Sequence, residues 1–214
     1  MQSVDQLKTS ANDLQRLLLA PKNCPPQPED IYTTIGKSPI FAGAQANPMS
    51  FLSSRLSQFT KATRIFASRE FRMTDLAGEF HQACDNIPTT LVIIKSGQYI
   101  AGGYTEVAWT SPILPAYGRR LSFHTYADKA FLFSVNRQRT YGLVINKFAM
   151  YSGGDNSARF GEYGGALAIL PDYVRDGGVS DLYSYDVTGV ADRYTELMGA
   201  KNFKVDEYEV YKLE

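Results

Sequence analysis

Apolar residues keep a helical spacing at the start of the chain, lose all period from Pro21 to Pro48, and then fall into short runs of strand type. Val4, Leu7, Ala11, Leu14 and Leu18 fall on one side of a helix over residues 3–20, with Ser3 as its cap and Pro21 as its stop. The aperiodic segment contains six prolines, yet it carries Ile31, Tyr32, Ile35, Ile40 and Phe41, which a solvated linker would not need. It reads as an extended arm lying on a surface, either that of its own domain or that of a partner. The partner alternative makes Leu7, Leu14, Leu18, Ile35, Ile40 and Phe41 the contact side chains.

From Ser50 the pattern changes. Leu52, Leu56 and Phe59 share a helical face, and Thr63 to Ser68 is a short strand. Thr74 caps a second helix, whose buried face is Leu76, Phe80 and Cys84 and which ends near Asp85–Asn86. "TTLVIIK" and "QYIAGGYT" flank a two-residue turn at Ser96–Gly97, and "AFLFSV" (130–135) pairs with "YGLVINKFAMY" (141–151). "ALAIL" (166–170) is a short buried strand, residues 191–199 read as a helix closed by Gly199, and 202–213 as a final strand. In that strand, strict alternation sets Glu207 and Glu209 on the face of Phe203 and Val205. A bulge near Asp206–Glu207 brings Tyr208 and Val210 there instead. Short strands without regular β-α alternation exclude a doubly wound sheet. The expected fold class is α+β, mainly β: an antiparallel β-sandwich core with peripheral helices. The expected organisation is an N-terminal helix and proline-rich arm over 1–49 and a folded domain over 50–214.

Composition adds exclusions. Lys plus Arg and Asp plus Glu both total 22, so the chain lacks the basic footprint of a nucleic-acid binder. No apolar run reaches the length of a membrane span, and the N-terminus, with Asp5 and Asp13, does not read as a signal peptide. Two distant cysteines, Cys24 and Cys84, fit free thiols in the cytoplasm. Aromatics at 13% favour pleated surfaces.

Gly102 and Gly103 raise the question of a phosphate-binding loop. No Lys follows them, and "YTEV" keeps strand character, so they read as a bend or a close backbone approach. Tyr104 and Trp109 belong to the same structural motif, and Trp109 is expected in the core.

The words of this region resemble a known family. "ASREFRMTDLAGEFHQACDNIPTTLVIIKSGQYIAGGYTEVAW" (67–109), "DKAFLFSV" (128–135) and "KNFKVDEYEVYKL" (201–213) are similar, in order, to the motifs of the TLDc domain. The resemblance spans about residues 50–214. It implies a β-sandwich with flanking helices and no established catalytic centre. It further implies a link to oxidative-stress resistance and to docking on the vacuolar-type proton-pumping ATPase, the V-ATPase. Three departures stand out. Glu70–Phe71 replaces the family's Asp-Gly, "FGEYGGALAI" (160–169) lacks its His-Asp pair, and the stretch from Pro171 to Tyr194 matches loosely.

Candidate chemistry is sparse. His81, Cys84 and Asp85 sit on one helix turn, and the other histidine is His124. Cys84 reads as core, with His81 at the helix edge. Asp206, Glu207 and Glu209 read as a solvated edge or as partners of Lys204 and Lys212, and "SGGDNS" (152–157) as a turn. No catalytic, cofactor-binding or metal-ligating residue and no small-molecule substrate is expected. Three readings follow. The first is a non-catalytic TLDc-type interaction protein docking on a large assembly such as the V-ATPase. The second is a structural subunit of a ciliary or microtubule lattice, tethered by its arm. The third is a thiol-dependent redox enzyme resting on Cys84.

Overall fold

The computed structural model describes residues 30–42, 48–71, 75–114, 119–120, 122–153, 156–162, 165–170 and 177–214. The expected helix over 3–20, with Leu7, Leu14 and Leu18, lies outside the described residues.

Two antiparallel sheets pack face to face. The first holds β1 (Ala62–Ala67), β2 (Thr90–Ser96), β3 (Tyr99–Thr105), β7 (Phe131–Ser134), β8 (Arg139–Gly142) and β14 (Glu207–Leu213), in the order β1-β14-β2-β3-β7-β8. The second holds β6 (Ser122–Thr125), β9 (Met150–Gly153), β10 (Arg159–Phe160), β11 (Leu167–Ile169), β12 (Gly178–Ser180) and β13 (Asn202–Phe203), in the order β13-β12-β11-β10-β9-β6. A small ribbon of β4 (Ile113–Leu114) and β5 (Arg119–Arg120) stands apart. The mainly β sandwich expected from the pattern is the observed architecture.

Both faces of the first sheet are covered, and alternation along β2 displays it. Val92 and Ile94 point between the sheets, where they meet Phe160, Leu167, Ile169 and Tyr208. Leu91 and Ile93 point the other way, into a second core with Ile31, Ile35, Ile40, Phe41, Leu52 and Leu56. A strand buried on both sides reads as a continuous apolar run, and "LVII" is one.

The arm is therefore corrected in two respects. Residues 30–42 are not extended: they form α1 (Ile31–Gly36) and a 3₁₀ turn, Pro39–Phe41. Asp30 caps α1 by accepting from the Thr33 N–H (2.7 Å), and the Ser38 hydroxyl accepts from the Ile40 N–H (3.1 Å). Ile35, Ile40 and Phe41 are 0%, 0% and 5% exposed against their own sheet, which leaves them no surface for a partner. The expected boundary after residue 49 marks no break in packing, since Met49, Leu52 and α2 (Ser53–Leu56) continue the same layer.

Other elements differ in detail. The hairpin turn is Gly97–Gln98, because Ser96 pairs with Tyr99 and Gly97 takes φ +56°. Asp75, not Thr74, caps α3 (Leu76–Cys84), its carboxylate accepting from the Gly78 N–H at 2.9 Å. The run 141–151 is broken, with β8 in the first sheet and β9 in the second. The run 202–213 is broken likewise at 204–206, which carries Tyr208 and Val210 onto the face of Phe203 and Val205. Residues 193–198 are turns rather than a helix. Only the last of them closes helically, with the Gly199 N–H donating to the Thr195 carbonyl (2.9 Å) at φ +70°.

Candidate functional site

Helix α3 positions the only histidine, cysteine and carboxylate that adjoin in sequence. Its apolar face, Leu76, Phe80 and Cys84, is buried as its spacing predicts. His81 is buried too, at 3% exposure, rather than at the helix edge. Its Nδ1 lies 2.8 Å from an Asp85 carboxylate oxygen and its Nε2 lies 2.9 Å from the Asn156 carbonyl. Each ring nitrogen therefore faces an acceptor oxygen within the protein. The Ser111 hydroxyl donates to the other Asp85 oxygen. Burial alone would raise the Asp85 carboxyl, but these bonds from His81 and Ser111 outweigh it and hold the group below its ordinary value.

Asp75, Gly78, Glu79, His81, Gln82, Asp85 and Ser111 line an open cleft of about 330 Å³. Its polar groups orient one another through the bonds among His81, Asp85 and Ser111. The Ser111 proton goes to Asp85, not to an imidazole nitrogen, so hydroxyl and histidine do not form a nucleophile and its base. Cys84 is fully buried, and burial raises its thiol far above the ordinary range. Thiolate chemistry needs the opposite, exposure and a lowered value. Cys24 lies outside the described residues.

His124 sits apart, its ring 4.8 Å from Phe148 and 5.0 Å from Tyr151. Among the described residues, no group of three or more His, Cys, Asp or Glu could hold a metal ion. No helix among them is long and apolar enough to cross a membrane.

The acids of the last strand find partners that spacing did not reveal. Glu209 is 0% exposed, with its carboxylate 3.2 Å from Arg64 Nη1 and 2.6 Å from Arg69 Nη1. The Tyr211 hydroxyl donates to it at 2.7 Å, and Glu207 pairs with Arg69. The expected partners Lys204 and Lys212 are replaced because β1 lies beside β14, with Ala67 opposite Glu209. Lys212 pairs instead with Glu214 at 2.9 Å.

The glycine pair is a packing device. A Cβ on Gly102 would meet the Val92 carbonyl oxygen and lie 2.6 Å from Phe133 Cζ. One on Gly103 would lie 2.7 Å from Phe160 Cζ and 2.8 Å from Leu132 Cδ2. Strands β2 and β7 flank β3 here, and phosphate has no place in the arrangement. Trp109 fills the space beside them, fully buried, its indole N–H donating to the Thr90 hydroxyl at 2.9 Å. Tyr104 points into the second core and stacks on Phe131 at 5.2 Å.

Among the described residues, the large apolar and aromatic side chains left exposed are Phe123, Tyr126, Val144, Ile145, Tyr183 and Val187. Val144, Ile145 and Tyr183 lie together. The Val144 N–H donates to the Ser184 carbonyl (3.0 Å), the Lys147 N–H to the Val144 carbonyl (3.1 Å), and Lys147 Nζ lies 4.5 Å above the Tyr183 ring. These residues sit where the chain leaves one sheet for the other, a crossing that the continuous apolar run 141–151 concealed.

Comparison with known proteins adds one match and one blank. A family model described as the TLDc domain matches residues 35–214, beginning inside α1. No curated relative matches the chain.

Proposed function

The chain belongs to the TLDc-domain family, and from that premise we propose that it is a non-catalytic interaction module that docks on a large assembly, the V-ATPase, in a regulatory role linked to oxidative stress. The observation that carries this reading is the ridge at Val144, Ile145 and Tyr183. Ile145 is 87% exposed and held by backbone hydrogen bonds on either side of its turn. An apolar projection next to an aromatic ring is the form that interface anchors take. The candidate chemical groups support the same reading, since His81, Ser111 and Cys84 are bonded or buried within the protein. The compartment that follows from such a partner is the cytoplasm.

The test is retention of purified V-ATPase peripheral sector on the immobilised protein. The unaltered protein retains it, and Ile145→Asp reduces retention about tenfold with an unchanged melting temperature. Failure of the unaltered protein to retain the sector, or equal retention by Ile145→Asp, overturns the proposal.

The leucine stripe at 7, 14 and 18 favours a second reading, a lattice subunit tethered by its N-terminal segment. Removal of residues 1–29 separates the two. A lattice subunit loses co-assembly with microtubules, whereas a V-ATPase regulator keeps its sector.

A further inference from the structure

Arg159 differs from the ion-paired cations of the protein in what it lacks. Arg64 and Arg69 hold Glu209, Lys147 holds Glu162 at 3.2 Å, and Arg193 holds Asp181 at 3.1 Å. Arg159 has no ion pair among the described residues, and its buried Nε has no hydrogen-bond partner. Its guanidinium instead lies 4.3 Å above the Tyr151 ring. Burial holds this group below the usual arginine value, a sign of a cation short of compensation.

Its surroundings form a surface. Phe160 and Met150 pair across β10 and β9 and point between the sheets, so Arg159 and Tyr151 point outward. Tyr151 pairs with His124 of β6. From there the rings continue: His124 to Phe148 at 4.8 Å, Phe148 to Tyr126 at 4.3 Å, with Tyr126 62% exposed. The outer face of the second sheet thus carries a row of partly buried aromatic rings, open at Tyr126 and ending in a guanidinium without an ion pair among the described residues.

We propose that this face binds an acidic peptide segment of a partner protein, one carboxylate received by Arg159 and a neighbouring apolar side chain laid on the aromatic row. The planar guanidinium matches a carboxylate bidentately, and stacking on Tyr151 fixes its plane in advance. The missing counter-charge is supplied by the ligand. Nucleic acid is the poorer occupant, because a phosphate backbone is held by several cations at once. Here Lys147 and Arg193 are already engaged by Glu162 and Asp181. The proposal rests on the interaction-module reading for its biological use, but not on the Ile145 ridge.

Fluorescence anisotropy with two labelled six-residue peptides tests it, one alternating Glu and Phe, the other Gln and Phe. The Glu peptide is expected to bind about tenfold more tightly. Arg159→Met should bring it to the level of the Gln peptide, and Tyr126→Ala should weaken both about threefold. Equal binding of the two peptides overturns the proposal, as does an Arg159→Met protein that still discriminates. If Arg159→Met does not fold, Arg159→Lys decides. It keeps the charge and stem without the fork, so a several-fold loss supports the site and no loss overturns it. A twelve-residue oligodeoxythymidine that binds more tightly than the Glu peptide makes nucleic acid the occupant and also overturns it. Loss of peptide binding leaves V-ATPase retention through Ile145 untouched, so the two proposals fail separately.

Discussion

At Asp85, burial and hydrogen bonding pull the carboxyl in opposite directions, and hydrogen bonding wins. A folded-state value below the unfolded 3.8 means that the ionised form is the stabilised one. This stability is fully present above that unfolded value and is lost as pH falls through the folded one. Asp85→Asn should therefore cost about 1.5 kcal/mol at neutral pH, the order of a hydrogen bond to a charged group. Thermal melts from pH 7 down to about pH 3 should show the gap between variant and parent closing. A gap of constant size would mean that shape, not charge, matters at this position. The motif "FHQACD" makes the helix and its inward residues legible. It does not disclose that His81 is buried, because the Asn156 carbonyl that holds Nε2 lies 75 residues away. Glu209 was hidden in the same way: its identity is plain, but Arg64 and Arg69 reach it only through strand pairing.

At the scale of elements, residues 31–42 and 48–56 act as a lid on the first sheet. Ile31, Ile35, Ile40 and Phe41 are essentially buried, and each contributes on the order of 2 kcal/mol on burial. Their sum rivals the ~5–15 kcal/mol by which a whole domain is stable. A variant lacking residues 1–47 should therefore unfold or aggregate, while one lacking residues 1–29 should melt within a few degrees of the parent. Circular dichroism melts of the two variants check this, and a well-folded variant without residues 1–47 would show the lid to be dispensable. A signal for the lid was present in the chain. "LVII" has no polar face, so something had to cover both sides of β2. The covering elements were harder to see, because a six-residue helix and a three-residue turn are too short to establish a period. Length misled in the opposite direction at 141–151 and 202–213. There a single apolar run serves two sheets, and only packing decides where it breaks. At 191–199 helix-forming residues yielded turns, local preference giving way to the route the chain must take.

For the molecule as a whole, the first sheet is the common wall of two cores. Strands β2 and β14 are hydrogen-bonded on both sides and covered on both faces. Residues 144–147 occupy the crossing between the sheets and expose Val144 and Ile145. Opening free energies follow such differences in enclosure. Hydrogen-exchange mass spectrometry should find β2 and β14 amides exchanging only with global unfolding and residues 144–147 exchanging far sooner. Protection of 144–147 equal to that of β2 would make the ridge part of the rigid wall. The even balance of 22 basic and 22 acidic residues has a local counterpart along β1 and β14, where Lys61, Arg64, Arg69 and Lys212 pair with Glu70, Glu207, Glu209 and Glu214.

Strand β14 lies between β1 and β2, with its backbone bonded to both. A ribosome delivers β1, β2 and β3 about a hundred residues before it delivers β14, a delay of roughly 5–20 s at ordinary rates of synthesis. Through that interval the nascent chain displays the "LVII" edge with an empty slot beside it, an invitation to the strands of neighbouring polypeptides. The domain cannot close until residues 207–213 emerge. Any premature stop before them leaves not a shortened domain but a sheet without its middle, and a ward for the chaperones.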